Sequence, residues 1–440
     1  MHRLLACALA ALPLSAAAQG LMQVYQDAKA YDAQFAAARF ALQAGLEKLP
    51  QGRALTLPSA SLSANTTHSR IDFKSDNASI VPGSTRDLRS YGYTLSFSQP
   101  IYRRQNLIQY DQAGYQVRQA EAVFGQAGQD LILRVSQAYF DVLAAEDTLG
   151  LVRAQKTAIS EQLAQAKRNF EVGTATITDT HEAQARFDLA AAQEIAAQND
   201  LDAKKRALQQ LTGKEYGSLK PLRSDVKLSG PEPSRMDDWV GLAEKQSYPV
   251  QVQEAVAEIS QLEVKRNAAA HQPTVDLVAS YGWVAQNASQ FSVVGGNTTT
   301  GTVGVQLAVP LFAGGALQSR DREAAANFDK ARQDLEFSRR ASALATRQSY
   351  LAVINGIAQV GALEQALVSS QSALASNKLG YEVGVRINID VLNAQQQLFS
   401  TQRDLALARY NTILNHLRLK SAAGALREED VEIVNRALQP

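Results

Sequence analysis

Hydrophobic and polar positions along this chain follow two different periods. Over residues 90–98 the period is two: Tyr91, Tyr93, Leu95 and Phe97 share one face, while Ser90, Gly92, Thr94, Ser96 and Ser98 share the other, and Pro100 closes the run. The second half repeats this device twice. Over 274–284, Val275, Leu277, Ala279, Tyr281 and Trp283 fall together; over 301–311, Val303, Val305, Leu307, Val309 and Leu311 oppose Thr302, Gly304, Gln306 and Ala308. A polar, serine-rich stretch at 59–73 is the least regular of the four predicted strands. Residues 74–89, with Pro82 and Gly83, and residues 286–300, rich in Gly, Asn and Thr, read as connecting loops.

Elsewhere the period is helical and unusually long. No proline interrupts the chain between Pro100 and Pro221, or between Pro310 and Pro440. Val142, Ala145, Leu149, Val152, Lys156, Ile159, Leu163, Ala166 and Phe170 alternate spacings of three and four, which is a heptad seam. Val353, Val360, Leu363, Leu367, Leu374 and Tyr381 form a second seam. One helix over 107–170 would extend about 96 Å, thicker than any globular core. Sparser seams run through predicted return helices at 178–211 (Phe187, Leu201, Leu208, Leu211) and 389–422 (Leu398, Leu405, Leu419). An alanine-rich helix is predicted at 21–49, ended by Pro50. Residues 214–238, with Pro221, Pro231 and Pro233, read as a connector, and 425–440 as an irregular tail.

The two halves are copies. Phe170-Glu171-Val172-Gly173-Thr174-Ala175-Thr176-Ile177-Thr178-Asp179 reappears 211 residues later as Tyr381-Glu382-Val383-Gly384-Val385-Arg386-Ile387-Asn388-Ile389-Asp390. The same offset pairs Tyr139 with Tyr350, Gln184 with Gln395 and Gly213 with Gly424, so about eighty residues align without a gap. One repeat covers 19–213 (a helix, a hairpin at 59–99, a long helix pair at 103–212). The other covers 239–424 (a helix, a hairpin at 274–311, a helix pair at 316–422). In each, the aromatic-x-Val-Gly stretch reads as a tight reversal between helices, with Gly173 and Gly384 supplying the permissive backbone. The copies differ where Phe170 faces Tyr381 and Ala175 faces Arg386: the second copy alone gains a hydroxyl and a cation.

Composition narrows the setting. His2 and Arg3, the apolar run 4–14 and Ala16, Ala17 and Ala18 predict a secretory signal over 1–18. Cys7 superficially resembles a lipoprotein acylation site, but it follows Arg3 too closely and the apolar run continues past it. The mature chain then has no cysteine, which excludes disulfides and thiol chemistry. No later run of about 18 apolar residues is seen, so no spanning helix is expected. The 440 residues carry a formal charge of +1, so no basic field points to nucleic acid. Hydrophobic residues make up 45% but aromatics only 7%, the difference being largely alanine, which favours closely packed helices.

About ten alternating residues with aromatics on the apolar face fit a membrane-spanning barrel strand, and also a half-buried soluble hairpin. Matched hairpins in both copies of an exported chain favour the barrel. Four strands cannot close one, since the smallest has about eight, and open edges in lipid leave backbone groups unpaired. Several chains would have to share one barrel. Two would give about eight strands and three about twelve, and closure alone does not choose.

The chain resembles the TolC family of outer-membrane channels over nearly its whole mature length. The likeness rests on Leu95-Ser96-Phe97-Ser98-Gln99-Pro100-Ile101 and Val309-Pro310-Leu311-Phe312-Ala313-Gly314-Gly315 at the strand-to-helix junctions. It rests also on Val172-Gly173, Ile177-Thr178-Asp179, Gly380-Tyr381-Glu382-Val383-Gly384, Asp390-Val391-Leu392-Asn393-Ala394 and Ala408-Arg409-Tyr410-Asn411. The resemblance implies a mostly α protein with a small β part. In a homotrimer, long antiparallel coiled-coil helices form an α-barrel, and four strands per chain complete a twelve-stranded barrel in the outer membrane. It implies a channel, not an enzyme and without cofactors, exporting drugs, small molecules or type I secreted proteins. The partners it implies are a periplasmic adaptor, an inner-membrane ABC exporter or proton-driven pump, and outer-membrane lipid. By motif position, Arg386 would bind Thr178 and Asp179 of a neighbouring chain, and Tyr381 would bond Asp179 of its own. Asp390 would form an acidic constriction ring, whose second acidic position is Asn393 here, a departure that bears on its charge. Adaptor contact would fall near Val172, Gly173, Val383 and Gly384, and Tyr91, Tyr93, Phe97, Tyr281 and Trp283 would face lipid.

Two other classes fit less well. The histidines, His2, His68, His181, His271 and His416, show no ligand spacing, and neither a phosphate loop nor Gly-x-Ser-x-Gly is present. A structural or adaptor coiled-coil protein of the envelope would share the heptads but needs no aromatic-faced strand pairs.

Overall fold

The computed structural model describes residues 18–74, 84–223, 225–226, 228–288 and 294–439. The expected signal at 1–18, with Cys7, lies outside them save for Ala18, as does the predicted turn at Pro82 and Gly83. Strands β1 (Ser59–Phe73), β2 (Ser84–Tyr102), β3 (Thr274–Gln286) and β4 (Gly296–Ala308) are joined by helices α1 (Leu21–Tyr31), α2 (Ala33–Leu46), α3 (Lys48–Ala54), α4 (Arg104–Glu171), α5 (Ile177–Thr212), α6 (Met236–Gln246), α7 (Tyr248–Ala268), α8 (Ala316–Glu382), α9 (Asn388–Ala422) and α10 (Glu428–Arg436). Two compact units result, one of residues 42–121 and 252–336, the other of 1–41, 122–251 and 337–440. Each draws on both sequence repeats. Corresponding helix ends, Glu171 and Glu382, and starts, Ile177 and Asn388, keep the 211-residue offset.

The first unit holds one antiparallel sheet in the order β1-β2-β3-β4. Its register carries the period-two pattern across all four strands. Leu62 stands opposite Leu95, Leu95 opposite Tyr281 and Tyr281 opposite Gly301, giving an apolar row; Ser61, Ser96, Ser280 and Thr302 line up on the reverse face. There the hydroxyls of Ser280 and Thr302 lie 2.6 Å apart. Two sequence-based boundaries shift. Residues 84–89 and 296–300 are strand rather than loop, because Thr298, Thr299 and Thr300 pair with Val284, Trp283 and Gly282, where β-branched side chains suit a pleated sheet. β4 ends at Ala308, so Val309 and Leu311 lie beyond it. At the helical end of the sheet the Arg103 guanidinium forks onto the buried Asp276 carboxylate at 2.7 and 2.6 Å, fixing the start of α4 to β3.

The second unit is helical. Leu21, Val24, Tyr25 and Ala28 of α1 pack with Leu131, Val135, Tyr139 and Phe140 of α4, Leu201 and Leu208 of α5, and Leu414 and Leu417 of α9. The buried Tyr139 hydroxyl donates to the carbonyls of Lys220 (2.8 Å) and Gln19 (3.1 Å), drawing the N-terminal segment and the connector onto α4. The tail joins the same connector through the Leu222–Leu438 bridge. It is not irregular throughout: α10 buries Val431 and Val434.

The predicted helix at 21–49 is three helices instead. Asp32 leaves the helical region at ψ 117°, its carboxylate accepts the Phe35 amide N–H at 2.8 Å, and Arg134 of α4 grips it at 2.8 and 3.2 Å. Pro50 ends nothing. It sits in the first turn of α3, where a missing N–H costs little. The expectation that no helix is apolar enough to span a membrane also fails by composition: α8 contains an 18-residue window of mean hydropathy 1.4. Only 11% of that window is buried in this chain.

Arg134 holds the Asp32 carboxyl below the usual carboxylate value, against the opposing effect of burial. A depressed folded-state pKa stabilises above the unfolded value near 3.8 and is lost as pH falls through the folded one. Asp32→Asn is expected to cost about 1–3 kcal/mol at neutral pH. In thermal melts the gap to the native chain should close as pH drops below about 4.

Candidate functional site

The two helix reversals lie in the helical unit and are built alike. At the first, the Gly173 amide donates to the Phe170 carbonyl (3.0 Å) and that of Thr174 to Asn169 (2.8 Å); at the second, Gly384 donates to Tyr381 (3.1 Å) and Val385 to Gly380 (2.9 Å). Both are helix ends closed by a left-handed glycine, with φ of 77° and 83°. Val172 and Val383, at equivalent positions, are 73% and 64% exposed, so each reversal presents a bare aliphatic side chain.

Beyond the glycines the copies part. In the first, Thr176 and Asp179 form a capping box: the Asp179 amide donates to the Thr176 hydroxyl (3.3 Å), and the Thr176 amide and hydroxyl donate to one Asp179 oxygen (3.0 and 2.8 Å). In the second, Ile387 replaces Thr176 and offers no side-chain cap. Asp390, the counterpart of Asp179, is thereby released from capping. It lies 3.6 Å from the Arg386 guanidinium one turn back, in a half-exposed i,i+4 pair. Arg386 packs over Gly380, where a Cβ would come within 2.7 Å of its Cγ. One repeat spends its carboxylate on its own helix, and the other keeps a carboxylate and a cation on the surface.

The bond from Tyr381 to Asp179 is not formed within this chain. The Tyr381 hydroxyl instead accepts from the Asn169 amide at 3.1 Å. Thr178 is exposed beside the capping box, and Arg386 meets neither Thr178 nor Asp179 of its own chain among the described contacts. Asn393 sits one turn beyond Asp390 and accepts from Arg186 of α5 at 3.1 Å; a second nitrogen of Arg186 reaches Gln396 at 2.7 Å. Further in, Gln162 of α4 donates to the buried Asn388 at 2.8 Å, and Leu392 enters the α4–α5 seam of Ile159, Leu163 and Ala183. Sequence reading missed these ties. The Thr-x-x-Asp capping box had a local signature; the Arg186 and Gln162 contacts join residues more than 200 positions apart and had none.

On the sheet, Tyr91, Tyr93, Phe97 and Tyr281 are exposed on the apolar face. Trp283, half-buried, packs against Tyr91 and Tyr93 at centroid distances of 5.8 and 6.0 Å.

Long helix pairs closed by glycine reversals, joined to a sheet that is polar on one face and bare and aromatic on the other, define a channel-forming envelope protein. The family model described as outer membrane efflux protein matches residues 24–214 and again 239–425. An outer membrane protein TolC of Vibrio cholerae is 34% identical, covering 98% of this chain and 97% of its own. The alkaline protease secretion protein AprF of Pseudomonas aeruginosa is 33% identical, covering 95% and 87%. Among solved structures, VceC from Vibrio cholerae superposes with a TM-score of 0.77 at 20% identity, covering 92% of this chain and 96% of that one. The chain belongs to the outer membrane efflux protein family, the TolC-like channels. It is an efflux and secretion channel of the outer membrane of Gram-negative bacteria.

A Cβ at Gly173 or Gly384 would meet no neighbour, so only backbone conformation opposes one. Gly173→Ala and Gly384→Ala should each cost the reversal about 1 kcal/mol. In hydrogen exchange the Thr174 and Val385 amides are expected to open about five-fold more often, with distant helices unchanged.

Proposed function

We propose that three copies of this chain close one twelve-stranded barrel in the outer membrane and continue as a helical tunnel gated at the reversals. The observation that carries this reading is the sheet. Its order leaves β1 and β4 with free outer edges, and its exposed face is apolar from Leu62 to Val305. In hydrocarbon such edges must be paired, and four strands are too few to close on themselves. Eight strands enclose a barrel filled by side chains, whereas about twelve leave a lumen, which an export conduit needs. The small hydroxyl-bearing face lines that lumen, and Tyr91, Tyr93, Phe97, Tyr281 and Trp283 face lipid. On α8, Phe337, Leu344 and Leu351 recur every seven residues and are more than half exposed, a stripe suited to a neighbouring helix.

At the mouth, Arg386 exchanges its same-chain partner Asp390 for Thr178 and Asp179 of the next chain. An exposed i,i+4 pair is worth only about 0.3–0.5 kcal/mol, so the exchange costs little. Three such latches hold a few kcal/mol, the scale of the about 5.5 kcal/mol needed to move a gate from closed to open. A periplasmic adaptor docking at Val172, Gly173, Val383 and Gly384 supplies that difference, and an ABC exporter or proton-driven pump of the inner membrane drives transport. Asp390 rings the constriction. Asn393, held by Arg186, adds no second carboxylate there, so the neck carries less negative charge. The name of the Pseudomonas relative favours protein secretion among the possible cargoes. No covalent step is assigned to the chain itself.

Native mass spectrometry of the detergent-extracted protein should find three chains per particle; a stable folded monomer would overturn the shared barrel. In planar bilayers Arg386→Ser is expected to raise single-channel conductance, and an unchanged value would remove Arg386 from the latch.

A further inference from the structure

Along the apolar face of the sheet, the first residue beyond Tyr91 on β2 is Arg89. His68 stands directly opposite it on β1, and Arg70 is the next residue of that face. All three are exposed. Among the described residues none of these side chains has a hydrogen-bond or ion-pair partner. Two carboxylates share the rim. Asp87 stands opposite Arg70 without an ion pair to it, and Asp72 accepts the Thr85 hydroxyl at 3.0 Å. His68 and Arg89 form the level nearest the aromatic cluster, and Arg70 lies one step, about 7 Å, farther out, level with Asp87.

Among the described residues no ion pair engages Arg70 or Arg89. At the same level β3 and β4 end in Gln286, Asn287, Gly296, Asn297 and Thr298, all uncharged. A neighbouring copy adding its β4 to the free β1 edge would bring no acid either. The opposite end of the sheet behaves differently, since Arg103 there is fully engaged by Asp276. Arg70 and Arg89 are diagonal neighbours across β1 and β2, close enough for long side chains to reach one anion together.

We propose that His68, Arg70 and Arg89 form a binding row for the phosphate groups of an outer-leaflet glycolipid. This rests on the reading that the apolar face lies in lipid with the helices on the periplasmic side. Aromatic belts mark the level where acyl chains meet headgroups, and the row begins immediately beyond Tyr91, Tyr93 and Trp283. Arginine suits the site because its planar fork matches two phosphate oxygens at once. The lipid would occupy the β1–β2 surface of each copy and oppose slippage of the β1 edge.

The test uses the assembled full chain in neutral detergent, titrated with diphosphoryl lipid A, with its dephosphorylated form and with inorganic phosphate, bound lipid being counted by native mass spectrometry. Diphosphoryl lipid A should bind about tenfold more tightly than the dephosphorylated lipid. Inorganic phosphate in excess should not displace it. The double variant Arg70→Gln, Arg89→Gln should lose that preference while keeping its channel conductance. Equal binding of the two lipids, full displacement by inorganic phosphate, or an unaltered preference in the double variant would each overturn the proposal. Should the double variant fail to assemble, Arg70→Lys with Arg89→Lys keeps the charge and removes the fork, and must weaken the preference. Conductance of the unmodified preparation separates the two readings: without channels the barrel itself is wrong, whereas channels without lipid preference refute only the binding row.

Discussion

Unpaired amides and carbonyls along the outer edges of β1 and β4 are the constraint on which the rest of this molecule depends. Water can satisfy them and hydrocarbon cannot, at several kcal/mol for each group left bare. Strands of 15 and 13 residues carry many such groups, so no local adjustment of one chain offsets the cost. In the proposed barrel the remedy is pairing with the strands of other copies of the chain.

The helical unit meets a different demand. Its main core is mostly Leu, Val, Ile, Tyr and Phe, and a few buried polar ties fix how the segments meet around it. Tyr139 gathers the N-terminal segment and the connector, Tyr410 donates to Asp147 at 2.6 Å, and Arg134 pins Asp32. Each tie joins segments that a heptad seam alone would leave free to slide.

Much of this was legible in sequence because two periodicities never overlap. Tyr91, Tyr93, Leu95 and Phe97 announce a strand within seven residues, and the proline-free intervals announce α4 and α8. The glycines at the reversals and the 211-residue offset located the site. Breaks set by distant partners were not legible. The kink at Asp32 needs Arg134, about a hundred residues on, and the early start of β4 needs the β3 ladder. The Arg186 fork over Asn393 and Gln396 likewise appears only once α5 and α9 are side by side. Around the reversals the turn glycines were readable, whereas the choice of hydrogen-bond partner was a property of the fold.

The loss of one hydroxyl, Ile387 standing where the other copy has Thr176, has an evolutionary reading. After a gene segment doubles, one copy can go on serving as scaffold while its twin drifts. Discarding a helix cap is a cheap mutation, yet it liberates an acid already in place at a reversal, ready for a new partner. Mobility in such a protein can begin with the retirement of a structural duty rather than the invention of a part.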